Sequence, residues 1–220
     1  MSVLGPSGPP PLPPPVVSER DKSDGRIIRV IIVSVVIVIV GAAGAAISYW
    51  IHFSRKYANI DHSSETLSVT FDGKDTSTNY SNPKYGISLK LPGHWDRIGV
   101  NRNAFVGLAD APPRTSPRFL VMFQSAFTGV PVPIDSEASS IAGRYVGFQA
   151  VKLERIERTT IGGRDARVLH FTDDAHNRTF RIAVLENGPV AYILIILGPT
   201  DATARWQYLD SVLPQMIKVQ

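Results

Sequence analysis

The sequence predicts an α+β protein: an α/β/α sandwich around a central antiparallel sheet, preceded by one transmembrane helix. Three observations carry this reading. Residues 27–51, IIRVIIVSVVIVIVGAAGAAISYWI, are almost unbroken in apolar side chains. Beyond Asn79, short β-type runs alternate with glycine turns such as Gly162-Gly163 and Asn187-Gly188. Two amphipathic stretches, near 135–149 and 200–216, supply helices to cover such a sheet.

The first 26 residues form a proline-rich tail, MSVLGPSGPPPLPPPVV at its start. Proline fixes φ and removes backbone donors, so this segment is expected to be extended and outside any core, a disordered cytoplasmic tail. Pro9 to Pro15 could dock in an aromatic-lined groove of an SH3- or WW-like partner. At ~1.5 Å per residue, residues 27–51 as a helix exceed the ~30 Å hydrocarbon core of a bilayer. Lipid offers the backbone no hydrogen bonds, which overrides the weak helix propensity of Val and Ile. Arg20, Lys22, Arg26 and Arg29 stand on its N-terminal side, and Arg55 and Lys56 on the other. The excess of cations places the N-terminus in the cytoplasm and the C-terminal domain outside. Gly41 and Ala45, four apart, are candidates for close helix packing. Ala43-Gly44-Ala45 also fits a small-x-small cleavage site. The long segment before the apolar core and its continuation through Ile51 favour an uncleaved anchor. Residues 52–78 are rich in Ser, Thr, Asp and Asn and are expected to form a polar stalk, with one short strand where Leu67, Val69 and Phe71 alternate.

A globular domain is expected over 79–220. Ile87, Leu89 and Leu91 alternate in a strand that Pro92-Gly93-His94-Trp95 closes. A second strand covers about 102–109. A third, about 118–127, is apolar on both faces and so should be covered on both. Asp135 or Ser136 can cap a helix with a stripe of Ala138, Ile141, Tyr145 and Phe148. Strands follow at about 151–160, 165–171, 178–186 and 190–197. The last, VAYILIIL, is uniformly apolar and should be central. Thr200 is expected to cap a final helix with a stripe of Ala202, Trp206, Leu209, Leu213 and Met216. Pro214 should kink or end it.

The 220 residues contain no cysteine and carry a formal charge of +4. Disulfides, thiol catalysis and Cys-based zinc sites are excluded. Basic residues are scattered among acidic ones, as in Arg155, Arg158, Arg164 and Arg167 interspersed with Glu154, Glu157 and Asp165. That pattern describes a solvated face, and no nucleic-acid partner is expected.

The run Tyr85-Gly86-Ile87-Ser88-Leu89-Lys90-Leu91-Pro92-Gly93-His94-Trp95 is similar to the opening strand and Pro-x-x-Trp of the PsbP-like superfamily, which includes Mog-type and DcrB-type proteins. The Ile161-Gly162-Gly163-Arg164-Asp165-Ala166 hairpin, the Tyr192-Ile193-Leu194 strand and the closing helix extend the resemblance over about 79–220. It implies an α/β/α sandwich that serves as a binding or assembly module. Partners in that superfamily range from photosystem subunits to a small GTPase, and it offers no universal catalytic set. The membrane anchor and proline-rich tail depart from the photosynthetic members.

No G-x-S-x-G elbow and no P-loop occur in the sequence. His170, Asp173, Asp174 and His176 form the best metal-like cluster, although FTDDAHNRT also reads as a polar hairpin loop. His94 and Trp95 are candidates for lining a ligand pocket. Glu154 and Glu157 should face opposite sides of a strand unless a bulge intervenes. The expected function is that of a membrane-anchored, non-enzymatic binding or assembly module of the cell envelope, with no cofactor and with a membrane or envelope protein as partner. The alternative is an envelope hydrolase using a pocket near His94 or the His170/His176 loop.

Overall fold

The computed structural model describes residues 48, 51, 52, 54–110, 119–127, 131, 133–149 and 151–219. The proline-rich tail with Pro9–Pro15, and the apolar run through Gly41 and Ala45, lie outside the described residues. Among the described residues no helix is long and apolar enough to cross a membrane.

The elements in chain order are β1 (Thr66–Asp72), β2 (Asp75–Asn82), β3 (Ile87–Pro92), β4 (Asp96–Ile98), β5 (Ala104–Ala109), β6 (Leu120–Phe127), α1 (Ile134–Gln149), β7 (Lys152–Ile161), β8 (Arg164–Asp173), β9 (Arg178–Asn187), β10 (Val190–Pro199), α2 (Thr203–Met216) and β11 (Ile217–Val219). Seven strands form one sheet in the order β4-β5-β6-β10-β9-β8-β7, and four form another in the order β1-β2-β3-β11. Every pairing is antiparallel.

The middle of the large sheet is buried on both faces, and β10 shows why. Val190, Tyr192, Leu194 and Ile196 point into one core, while Ala191, Ile193 and Ile195 point into the other. A two-residue period in an all-apolar strand requires cover on both sides. The second core lies under α1. The first is closed by α2 together with the small sheet, through Tyr80, Ile87, Leu89 and Leu91. The expected α/β/α sandwich therefore needs correction, because a second sheet shares one outer layer with a helix. Two of its four strands escape sequence reading: β2 is rich in Ser and Thr, and β11 is three residues long, whereas β1 covers the stretch where Leu67, Val69 and Phe71 alternate.

Residues 52–78 are likewise not a stalk. Residues 54–58 are helical, and Tyr57 and Ile60 are buried in the first core. Their neighbours are held by polar contacts that residue types alone do not reveal. Asp61 N donates to Tyr85 Oη at 2.9 Å, Asn82 Nδ2 donates to the Asp61 carbonyl at 2.9 Å, and Lys84 pairs with the Asp61 carboxylate. The hydrogen bond from Lys84 holds the Asp61 carboxyl well below the usual carboxylate range. Glu65 accepts from Tyr80 Oη at 3.1 Å, contacts His62 Nδ1 at 2.7 Å and pairs with Arg97. The folded unit thus begins near Trp50 rather than at Asn79.

Two helix starts also differ from expectation. Asp135 does not cap α1; it lies in the first turn and receives Arg167 Nε at 2.6 Å. The Pro133 carbonyl accepts from Ser136 N at 2.8 Å, so the turn begins upstream. α2 starts after Ala202 without a side-chain cap, and Thr200 Oγ1 instead accepts from Thr179 Oγ1 at 3.1 Å. Pro214 sits in the last turn of α2, and its carbonyl accepts from Gly162 N at 3.0 Å. Gly162 has φ +57°, and a Cβ there would stand 2.4 Å from the Ile217 carbonyl oxygen. The β7–β8 turn needs glycine at this position for both reasons.

Candidate functional site

α1 packs on β7, β8 and β9, burying Ile134, Ala138, Ile141 and Ala142 against Leu169, Phe171, Ile182 and Val184. Seven strands ~4.8 Å apart measure ~29 Å across, whereas a helix with its side chains is ~10–12 Å wide. One helix cannot cover this face. Over β6, Leu120, Met122, Gln124 and Ala126 are left half-buried.

Among the described residues nothing covers this strip, a groove made of three cavities, and Ile195 lines all of them. The first, about 470 Å³, lies between residues 54–58 and α1, over Ile141 and Ile193, with Gln124 and Arg144 at its edge. The second, about 460 Å³, lies over Leu120, Met122 and Leu197, beside Ile98 and Val100. The third, about 470 Å³, is bounded by Tyr145, Phe180, Arg178, Asp173 and His176. Tyr145 stacks on Phe171 with ring centroids 5.6 Å apart, and burial raises its phenol pKa. An apolar floor with a few polar groups at the rim is the usual composition of a binding site. A larger crevice of about 630 Å³ lies between the β1–β2 turn and the end of α2, where Val212, Met216 and Ile217 are joined by Asp72, Asp75, Lys90 and Lys218, so charged side chains make up more of its lining.

The four residues of the expected metal cluster do not converge. In β8, Leu169 and Phe171 face α1, as does Asp173, whereas Val168 and His170 face the other core. His170 and Asp173 are three residues apart, and an odd spacing in a strand puts side chains on opposite faces. Strand β8 runs two residues beyond the expected end at Phe171, which is why the spacing misleads. Asp173 Oδ1 accepts from His176 N at 3.3 Å and Oδ2 contacts His176 Nδ1 at 2.8 Å, so this pair closes the turn at Asp174–His176. No group of three or more metal-ligating side chains forms among the described residues. Among the described residues, those lining this end of the groove include no Ser, Thr or Cys beside His176.

His170 is 4% exposed and stands among Arg155 and Glu157 of β7, Arg181 of β9 and Asp210 of α2. Glu157 Oε2 comes within 3.2 Å of His170 Nε2 without the alignment of a hydrogen bond, and Nε2 has no other partner among the described residues. Burial, then Arg181 and Arg155, push the imidazole pKa down to about 4. The folded state therefore holds His170 neutral where the unfolded chain, with a pKa of ~6.5, begins to protonate. Between those values the unfolded state binds more protons, so stability falls as pH is lowered from about 6.5 towards 4. The urea midpoint is expected to drop between pH 7 and pH 5, and His170→Leu should flatten that slope. An unchanged slope in the variant would assign the effect elsewhere.

Glu154 and Glu157 are affected by a register shift between Leu153 and Arg155. Glu154 contacts Lys152 Nζ at 2.9 Å and accepts from Thr172 Oγ1 at 3.0 Å, while Glu157 contacts Arg155 and His170. Each carboxylate has its own partners. Trp95 is 1% exposed, and its Nε1 donates to the Pro92 carbonyl at 2.9 Å. His94 is exposed and lies 3.3 Å from Asp96. Neither lines the groove. The groove residues Met122, Arg144, Ile195 and Leu197 were not singled out by sequence. The available signal was the count of one helix against many strands on that face.

No protein-family model and no curated protein matches the chain. Among solved structures it is similar to cyanobacterial PsbP (CyanoP) of Synechocystis, with 12% identity and a TM-score of 0.50, covering 73% of this chain and 95% of that one. A Pseudomonas aeruginosa protein of unknown function is 13% identical, covering 67% of this chain and 94% of that one; its TM-score of 0.38 is too low to carry an argument. At such identity the likeness to CyanoP speaks for architecture alone. The chain has a PsbP-like fold, built mostly of antiparallel sheet with few helices.

Proposed function

We propose that this chain is a membrane-anchored, non-enzymatic binding module of the cell envelope, and that the groove over β6 and β10 receives its ligand or partner segment. The observation that carries the proposal is the continuous apolar floor around Ile195, open beside α1. Arg144 and Arg178 at its rim favour an apolar ligand or peptide bearing an acidic group. The apolar run at 27–51 and its flanking cations support a single span with the domain outside.

Three measurements on the full chain test this. A photo-crosslinking residue at Leu197 is expected to capture a discrete envelope component, and Met122→Lys should abolish the capture without lowering the melting temperature. Capture unaffected by Met122→Lys would remove the groove from the proposal. Added protease should reach the C-terminal domain in intact cells; protection would reverse the orientation. Turnover of ester, phosphate or peptide substrates that His176→Ala abolishes would replace the binding reading with the hydrolase one.

A further inference from the structure

A strand at the edge of a sheet exposes unpaired backbone N–H and C=O groups, and proteins blunt such edges with shortness, charge, proline or bulges. Among the described residues the two sheets have four edges, and three carry such a device. β4 is three residues long and includes Asp96 and Arg97. β11 is three residues long and centres on Lys218. β7 is ten residues long, but it carries five charged side chains and a register shift between Leu153 and Arg155.

β1 has none of these devices. It runs seven residues, TLSVTFD, in unbroken register with β2 from Thr66↔Ser81 to Asp72↔Asp75. It contains no proline and no lysine, and its single charge, Asp72, is at its end. Among the described residues no strand pairs its outer edge. Leu67 packs against the core, while Val69 and Phe71, on the same face of the strand, are 47% and 72% exposed.

From this edge we infer that β1 is a docking strand for a second copy of this chain, the two β1 strands pairing antiparallel about Val69. The occupant follows from the pattern of the strand. With Val69 opposite Val69, Leu67 of each copy faces Phe71 of the other, and both exposed apolar side chains gain apolar neighbours. On the opposite face Ser68 meets Thr70, and Asp72 meets Thr66, so no like charges oppose each other. Aromatic–aliphatic cross-strand pairs stabilise a sheet, whereas like charges directly opposite destabilise it. The two four-stranded sheets join into one of eight strands across a two-fold axis, an isologous contact. This inference is independent of the groove and of the membrane anchor.

The absence of cysteine from the sequence makes the test direct. Single cysteines are placed at positions 66 to 72 of the full chain, with Val146→Cys on α1 as an exposed control. Only a residue on the two-fold axis faces its own copy, and opposed residues of an antiparallel pair have Cα atoms ~4.5–5.5 Å apart, within disulfide range. Mild oxidation should give a covalent dimer with Val69→Cys about tenfold more readily than with the control, falling off on either side. Adding Phe71→Lys should suppress that dimer by about tenfold, because an edge lysine opposes strand pairing. A maximum elsewhere, a flat profile, a yield no higher than at Val146→Cys, or indifference to Phe71→Lys would overturn the inference.

Discussion

A chain shortened to begin at Asn79 is expected to lose cooperative folding, whereas one beginning at Trp50 is expected to keep it. The shorter chain loses Tyr57 and Ile60, which are 7% and 6% exposed. Burying side chains of this kind contributes about 1.5–3 kcal/mol each. It also loses Thr78, whose Oγ1 accepts from Trp95 N at 2.9 Å and donates to the Gly93 carbonyl at 2.9 Å. An unsatisfied buried amide costs about 1–3 kcal/mol. Tyr80 Oη loses Glu65, and β3 loses half of its partner strand. Together these losses approach the ~5–15 kcal/mol that holds a whole domain folded. Urea unfolding of the two chains, followed by near-ultraviolet circular dichroism, reads the difference. Equal midpoints would restore residues 52–78 to the status of a stalk.

Trp206→Ala is expected to destabilise the domain by about 3–5 kcal/mol, the range for truncating a buried tryptophan. Trp206 is 4% exposed and fixes α2 on the large sheet in three ways. Its ring meets Phe119 edge-on with centroids 5.0 Å apart, Arg181 lies 5.0 Å above it, and Nε1 donates to the Pro199 carbonyl at 2.8 Å. Phe119 can approach because residue 198 is glycine: a Cβ there would stand 2.3 Å from the Phe119 ring. Trp206→Phe keeps most of the area and loses the indole hydrogen bond, so a loss of about 1 kcal/mol is expected. The double variant with Phe119→Ala should show a coupling of about 0.5–1.5 kcal/mol. Guanidinium unfolding of the single and double variants checks all three values. A loss under about 1 kcal/mol for Trp206→Ala would mean that α2 is held mainly by Leu209, Leu213 and Met216.

The elements that sequence reading locates share one property: their burial is written in a local period. β3 alternates, β10 is apolar throughout, and α1 and α2 carry stripes at helical spacing. β2 has no such signal, because Thr, Ser and Asn fill a strand without marking it as buried, and the alternation in β1 does not show what either strand pairs with. Their place is fixed instead by contacts far apart in sequence, such as Asn82 to Asp61 and Arg97 to Glu65. The site follows the same division. Tyr145 is legible as part of a helix stripe, and Ile193 and Ile195 as part of a buried strand. That they border an open groove depends on where α1 lies across the sheet. The cluster of His170, Asp173, Asp174 and His176 is dense in sequence, yet the pleat of β8 divides it.

The sequence by itself determined the antiparallel strands and two helices beyond Asn79, the glycine turns, and the lack of any cysteine chemistry. These follow from local rules of periodicity, turn geometry and composition. Tertiary structure alone decided that the domain begins near Trp50, that a second sheet closes the first core, that one helix leaves a groove over β6 and β10, and that β1 is an open edge. Each of these depends on which surfaces meet, and a single helix or strand pattern does not specify the partner it packs against.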